Sequence, residues 1–117
     1  MTSDPLIELR EALRAFAAER AWDEFHSPKN LAISLSVEAA EVLEHFQWIT
    51  EDDSRRLSRE SLLKVEQEMA DILLYLVRLS DKLGVDLLQA AQRKMKLNAE
   101  KYPVDKSKGT SKKYTDF

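Results

Sequence analysis

This chain contains two pairs of acidic residues, each pair in an otherwise apolar stretch. Within each pair the two residues are three positions apart. Glu38 and Glu41 form the first pair, and Glu68 and Asp71 form the second. Residues three apart on a helix lie on the same face, so each pair would present two carboxylates in one direction. If the helices that carry the pairs pack side by side, the four carboxylates converge.

The neighbours of these acids indicate that the carboxylates are poorly solvated. Both pairs are flanked by Val, Ala, Leu, Ile and Met, which places them at the margin of an apolar interior. Like charges crowded there repel and are poorly solvated, so either several are protonated or a cation neutralises them. Oxygen ligands without imidazole or thiolate at suitable spacing favour Mg²⁺, with Mn²⁺ as a substitute. The alternative is that each pair lies on a solvated helix face, which is the usual explanation for a single pair.

The composition narrows the class of protein. A length of 117 residues suits one domain, and only 2 Gly and 3 Pro argue against an all-β fold. The absence of cysteine excludes disulfides, thiolate catalysis and cysteine-bound zinc. The net charge of −3 predicts no general affinity for nucleic acid polymers or membranes. The N-terminus, residues 1–5, lacks the features of a signal peptide, and no apolar run could span a membrane, so we expect a cytoplasmic protein.

Capping residues, prolines and one glycine mark where helices begin and end. Ser27 followed by Pro28 is typical of a helix start, and Gly84 is typical of a helix end. The predicted helices cover residues 5–20, 28–48, 58–83 and 86–101. Short loops between them predict an all-α fold, an antiparallel four-helix bundle over residues 1–103 with a lysine-rich, irregular tail over 104–117. The third helix is apolar nearly all round, which predicts that oligomerisation completes the core.

The acid pairs resemble the motif of the MazG-like all-α nucleotide pyrophosphohydrolases. In that family Glu-Glu-x-x-Glu is followed, after a spacer, by Glu-x-x-Asp. Here Val37-Glu38-Ala39-Ala40-Glu41 precedes Glu68-Met69-Ala70-Asp71, and Val37 replaces the first glutamate. That replacement is shared with the dCTP pyrophosphatase branch, which the chain resembles over nearly its whole length. The other matching stretches are 16–20 with Trp22, 25–26 with Pro28 and Asn30, 46–48, 75–77, 94–95 with Asn98, 102–103 and 111–115.

The resemblance implies an enzyme that hydrolyses a deoxynucleoside triphosphate, dCTP first among them, to the monophosphate and pyrophosphate. It implies that Glu38, Glu41, Glu68 and Asp71 bind Mg²⁺. It also implies a homotetramer, built as a dimer of dimers, whose active sites are completed across subunits. A bound metal would lower the pKa of a water molecule, and Glu38 or Glu41 would take the water's proton as the catalytic base.

A second group of residues could bind the substrate. Trp22 and Trp48 could stack on a base, and His26 could hydrogen-bond to base or sugar, with Asp71 also at the substrate. Because the two tryptophans flank opposite ends of the second helix, the resemblance favours a second subunit as the source of one of them. The alternatives are interfacial core tryptophans and a loop-orienting histidine. We interpret His45 as structural.

On the fourth predicted helix, Lys94, Asn98 and Tyr102 recur every four residues and share a face. Lysine suits a phosphate, Asn98 could read sugar or base, and Tyr102 could contact a phosphate oxygen. The tail lysines Lys112 and Lys113 could close over the phosphates, although such tails are more often disordered.

The residue at position 13 leaves the preferred base open. Leu13 stands at the position where vertebrate members of the dCTP pyrophosphatase branch carry a histidine near the base. The alternative functions are a superfamily hydrolase acting on dUTP or phosphoribosyl-ATP, and a non-catalytic helical oligomeric interaction module.

Overall fold

The computed structural model describes residues 4–117, and every regular element in this range is helical. The α-helices of these residues are α1 Pro5–Glu19, α2 Pro28–Glu44, α3 Glu51–Ser54, α4 Arg59–Leu83, α5 Leu87–Lys101 and α6 Val104–Ser107. Short 3-10 turns occupy Asp23–Phe25 and Tyr114–Asp116. The all-α prediction is therefore confirmed. Residues 1–3, part of the segment interpreted as lacking signal-peptide features, lie outside the described residues.

Side chains cap the first turn of each of the four long helices where the sequence predicted a start. In each case the side-chain oxygen of the capping residue accepts a hydrogen bond from a backbone N–H of the first turn. The capping residues are Asp4 for α1, Ser27 for α2, Ser58 for α4 and Asp86 for α5. Gly84 ends α4 in the left-handed conformation, with φ of 67°, as expected of a glycine that follows a helix.

The second helix is shorter than predicted, because α2 ends at Glu44 and not near Trp48. Beyond this point the backbone makes tighter turns, in which the Phe46 N–H donates to the Leu43 carbonyl at 2.9 Å. Thr50 is extended and caps α3, so the chain must leave the helical conformation before it. The loop predicted between the second and third helices therefore contains the short helix α3, and α6 likewise interrupts the tail that was predicted to be irregular.

The two helices that carry the acid pairs pack along each other. The contact between α2 and α4 is the more extensive one, and α1 packs against α4 on a smaller surface. The buried apolar side chains of this packing are Ala17, Leu31, Val65 and Val77. Adjacent packing is the condition on which convergence of the four carboxylates depends.

Many apolar side chains of α2 and α4 remain exposed. Val37 is 50% exposed on α2, and Met69 is 58% exposed on α4. The other exposed apolar residues on these two helices are Ile33, Leu43, Leu62, Leu63, Leu73 and Leu83. A single chain thus leaves much of the apolar surface of α4 uncovered, and the predicted oligomer stays a prediction.

The described chain divides into two compact units between Val85 and Asp86. Within the second unit, the Tyr102 ring packs edge-on against Tyr114 and Phe117, with centroid distances of 5.8 Å in both pairs. The tail therefore contacts the end of α5, while the predicted domain boundary after residue 103 stays a prediction. Among residues 4–117, no helix is long and apolar enough to cross a membrane. The cytoplasmic location stays a prediction.

Candidate active site

The electrostatics of Glu38 show that the two acid pairs share one neighbourhood. Burial raises the pKa of Glu38, and side-chain hydrogen bonding with Glu41 raises it further. The negative charges of Glu41, Asp71 and Glu68 add smaller increases to the same pKa. Because α2 supplies one pair and α4 the other, the interaction joins carboxylates from two neighbouring helices.

Two oxygens of this acid group are buried without a hydrogen-bond donor in the part of the chain that the structure describes. They are Glu38 Oε2 and Glu68 Oε2. Glu68 Oε2 lies 2.7 Å from His45 Nε2, which is the distance of an ion pair when the imidazole is protonated, but the contact lacks hydrogen-bond geometry. Buried carboxylate oxygens without donors are costly in a protein, and a cation or water would relieve that cost.

The donor chemistry of the acid group fits a hard divalent cation. All four side chains offer carboxylate oxygens, which Mg²⁺ prefers, and two of these oxygens, Glu38 Oε2 and Glu68 Oε2, accept no hydrogen bond from the described residues. As they stand, however, no three Asp, Glu, His or Cys side chains among residues 4–117 are arranged to hold one ion. Mg²⁺ keeps several water ligands and takes only one or two carboxylates in many phosphate-processing sites, so a pair of donors suffices.

The end of α1 turns the chain so that Trp22 returns to the helix. Ala21 adopts a left-handed conformation with φ of 52°, and the Trp22 N–H donates to the Ala17 carbonyl at 2.9 Å. This is the hydrogen-bond pattern of a Schellman turn. As a result, the Trp22 ring lies edge-on to Phe16, with 5.7 Å between the ring centroids.

His26 follows the first 3-10 turn and lies beside the same tryptophan. The backbone N–H of His26 donates to the Asp23 carbonyl at 3.1 Å. The centroid of its ring is 6.3 Å from that of the Trp22 ring. The Asn30 side chain, in the first turn of α2, donates to the Phe25 carbonyl at 3.1 Å. The connector between α1 and α2 is therefore held at both ends.

Trp22 and His26 line a cavity of about 200 Å³ within the first unit. Its apolar wall is formed by Leu13, Phe16, Trp22, Leu74 and Tyr75, and its polar groups belong to His26, Asp71 and Arg78. The structure thus brings together three of the predicted substrate residues, Trp22, His26 and Asp71. Asp71 also contributes charge near Glu38, so the cavity and the acid group share this residue.

Arg78 is a buried charged residue of the cavity lining and is only 5% exposed. Its Nε donates to His26 Nδ1 at 3.1 Å, and its Nη2 donates to Asp23 Oδ1 at 2.6 Å. Its Nη1 lies 3.5 Å from Asp81 Oδ2. Burial lowers the pKa of His26, as do the charges of Arg78 and Lys82, while Asp23 opposes them. Because His26 Nδ1 accepts a hydrogen bond from Arg78, this nitrogen carries no hydrogen, and the ring is neutral in this arrangement.

The other predicted substrate residues belong to other parts of the chain. Trp48 is 84% exposed, lies beyond the end of α2 and does not line the cavity. Lys94 and Asn98 lie on α5 in the second unit, and Tyr102 ends that helix, where its N–H donates to the Asn98 carbonyl at 2.8 Å. Their contacts with substrate stay predictions, as do the metal-binding and catalytic roles of the acids.

Sequence reasoning missed the roles of Arg78, Phe16 and Tyr75 in the cavity. Arg78 interrupts the apolar run of α4, and a charge in such a run needs buried partners, which is the signal that could have identified it. His45, interpreted as structural, contacts an acid of the second pair. It follows Glu41 by four positions and therefore shares its helix face, which is the spacing that could have indicated the contact.

Comparisons with known proteins agree with this architecture. A family model described as MazG-like matches residues 33–117. The dCTP pyrophosphatase 1 of Bos taurus is 41% identical over 119 residues, a match covering 99% of this chain and 70% of that protein. The Homo sapiens protein of the same name is 37% identical over 117 residues, covering 97% of this chain and 69% of that protein. A crystallised pyrophosphatase from Archaeoglobus fulgidus is 41% identical with a TM-score of 0.76, covering 88% of this chain and 96% of that chain.

The helical fold, with acid pairs on two packed helices beside an aromatic cavity, defines the class of the protein, and the chain belongs to the MazG-like family. Within that family it is similar, along nearly its whole length, to mammalian proteins named dCTP pyrophosphatase 1.

Proposed function

We propose that this chain is a Mg²⁺-dependent pyrophosphohydrolase that cleaves dCTP to dCMP and pyrophosphate. The observation that carries the proposal is the double position of Asp71, which borders the aromatic cavity and adds charge near Glu38 of the acid group. A base in the cavity would therefore place its phosphates near the acids. The mammalian relatives at about 40% identity, named as dCTP pyrophosphatases, support the same substrate.

The cavity suits an aminopyrimidine. Trp22, Phe16 and Tyr75 provide aromatic surface against which a base can stack. Asp71 is an acceptor, and it would receive a hydrogen bond from the exocyclic amine of cytosine. The carbonyl that replaces this amine in uracil and thymine would face the carboxylate and be repelled, so dCTP is favoured over dUTP and dTTP.

The ligands of Mg²⁺ would come from the four acids Glu38, Glu41, Glu68 and Asp71, of which a pair suffices for one ion that keeps its water ligands. When bound, the ion would screen the charge of the triphosphate and lower the pKa of a water molecule. Glu38 is the acid that we assign to accept the proton of the water, because its buried Oε2 accepts no hydrogen bond from the described residues. Hydrolysis adds one water across the bridge between the α and β phosphates. Glu38 takes the proton of that water while the bond to the departing pyrophosphate breaks.

The subunits assemble, in this proposal, into a homotetramer arranged as a dimer of dimers, each chain forming an antiparallel four-helix bundle. The exposed apolar side chains on α2 and α4, Val37 and Met69 among them, support an interface on these helices. Trp48, 84% exposed, is then available to the cavity of a second subunit. Light scattering coupled to size-exclusion chromatography tests the assembly, and a monomeric mass would contradict it.

The activity is tested with purified protein and each of the four deoxynucleoside triphosphates, with Mg²⁺, with Mn²⁺ or with EDTA. We expect pyrophosphate release that is fastest with dCTP and absent with EDTA. Glu38→Gln is the inactive control, and Glu44→Gln, an exposed acid of the same helix, is the active one. Folded protein that releases pyrophosphate from none of the four nucleotides would overturn the proposal and favour a non-catalytic interaction module.

A further inference from the structure

The hydrogen bond between Arg78 and His26 determines which ring nitrogen of the histidine carries a proton. Arg78 Nε lies 3.1 Å from His26 Nδ1. A guanidinium has donors and no acceptor, so Nδ1 must be the acceptor and carries no hydrogen. A neutral imidazole with a bare Nδ1 carries its hydrogen on Nε2.

The second ring nitrogen of His26 is free to serve a ligand. Within residues 4–117 the structure gives His26 Nε2 no hydrogen-bond partner, although the residue lines the aromatic cavity. The positive charges of Arg78 and Lys82 disfavour a second proton on the ring. His26 is therefore a neutral donor with one N–H group, and that group matches a ring nitrogen or carbonyl oxygen of a base.

Arg78 is itself held in place from two sides. Its Nη2 donates to Asp23 Oδ1 at 2.6 Å, and its Nη1 lies 3.5 Å from Asp81 Oδ2. With Nε on the histidine, all three guanidinium nitrogens are engaged by protein groups. Arg78 is thus already committed and is poorly placed to grip a phosphate of the substrate.

We propose that Arg78 is a positioning residue, which fixes His26 in its Nε2–H form so that the imidazole donates a hydrogen bond to the bound base. This rests on the proposed function only for the identity of the base. The tautomer of His26 is a property of the protein without nucleotide. It can therefore be measured whether or not the chain hydrolyses dCTP.

The direct test is long-range ¹H–¹⁵N NMR of the uniformly ¹⁵N-labelled protein near pH 7 without nucleotide. The chain has two histidines, and the spectrum of His26→Gln identifies the His26 signals by their absence. We expect an unprotonated Nδ1 and a protonated Nε2. A protonated Nδ1, or a doubly protonated ring, would overturn the proposal without bearing on the hydrolase activity.

The second test compares Arg78→Met with Arg14→Met. Removal of Arg78 leaves Asp23 with Lys82 Nζ at 2.5 Å and leaves Asp81 with Arg14 Nη2 at 2.5 Å, so both acids keep a cation. Arg14→Met also removes a cation from Asp81, but Arg14 has no bond to His26.

In Arg78→Met we expect a mixture of His26 tautomers and a KM for dCTP raised about tenfold, the scale of one lost hydrogen bond, with kcat changed less than about threefold. Arg14→Met should keep both the tautomer and KM. A folded Arg78→Met protein with unchanged KM, or one in which kcat falls and KM does not rise, would overturn the proposal. If the variant does not fold, the NMR result on the unmodified chain decides.

Discussion

His45 Nε2 lies 2.7 Å from Glu68 Oε2, which links the C-terminal end of α2 to an acid of α4. His45 is the capping residue that follows the last residue of α2, and its side chain is half-buried. Acids that bind metal are commonly held by neighbouring side chains, and loss of such a neighbour weakens the metal site. The contact therefore indicates that His45 orients Glu68.

Replacing His45 by Ala should weaken Mg²⁺ binding about 10- to 100-fold and leave kcat at saturating Mg²⁺ little changed. The physical reason is that Glu68 loses the contact that limits its rotation. The measurement is pyrophosphate release from dCTP as a function of Mg²⁺ concentration. Glu44→Gln, on the same turn of α2 but exposed, is the control and should keep the original half-saturation. An unchanged half-saturation in His45→Ala would contradict the prediction.

Replacing Glu38 by Gln should abolish most of the activity but stabilise the metal-free protein. A positioned base contributes about 10²- to 10⁴-fold to the rate, so kcat should fall by that order.

Because the folded protein raises the pKa of Glu38 above its ordinary value of 4.5, folding opposes ionisation of this residue. Ionised Glu38 thus destabilises the metal-free protein increasingly as the pH rises above that value. The melting temperature of Glu38→Gln should therefore exceed that of the unmodified protein near pH 7, and the gain should vanish near pH 4. An equal rise in melting temperature at both pH values, or no rise near neutrality, would show that ionised Glu38 does not destabilise the metal-free protein.

Mg²⁺ should raise the melting temperature of the unmodified protein in the absence of any nucleotide. A ligand at 100 times its Kd stabilises the folded state by about 2.7 kcal/mol. EDTA should reverse this stabilisation. The stabilisation should also be much smaller in a Glu38→Gln, Glu68→Gln double variant, in which the two carboxylates with a buried oxygen lacking a donor become neutral amides. Equal stabilisation of the unmodified and double-variant proteins would place the ion elsewhere.

Replacing Trp22 by Ala should raise KM for dCTP about 5- to 150-fold, since stacking on one base contributes about 1–3 kcal/mol. Trp22→Phe should recover part of the loss because it keeps an aromatic face beside Phe16. Steady-state kinetics with dCTP measure KM for both Trp22 variants.

The Trp48→Ala variant tests the contribution of a second subunit to base binding. It should raise KM, because Trp48 is 84% exposed in the single chain and is available to the cavity of a second subunit. If neither alanine variant changes KM, the base does not stack on these rings.

The fold could be predicted largely from local signals. Asp4, Ser27, Ser58 and Asp86 cap their helices through hydrogen bonds to residues two or three positions away, so short sequence windows contain the information. The end of α2 could not be predicted in the same way. There the helix gives way because Thr50 is needed as the cap of α3, a competition that apolar periodicity does not reveal.

The site could be predicted only in part, for a similar reason. The acid pairs follow from three-residue spacing within single helices. The bond between Arg78 and His26, in contrast, joins residues 52 positions apart and depends on how α4 packs against the connector. The one indication of this bond in the sequence is that Arg78 places a charge in an apolar run. Lys94 and Asn98 share a helix face in α5 and Tyr102 follows its last residue, but periodicity does not say what these side chains contact.

In the proposed site, Asp71 would make selectivity and turnover interdependent. This one carboxylate belongs both to the wall that would meet the base and to the acids that would hold the ion. A nucleotide whose base presents a carbonyl at that point would repel Asp71 and disturb the ion's surroundings at the same time. Discrimination against wrong nucleotides would then be expressed in the speed of the reaction as well as in the strength of binding.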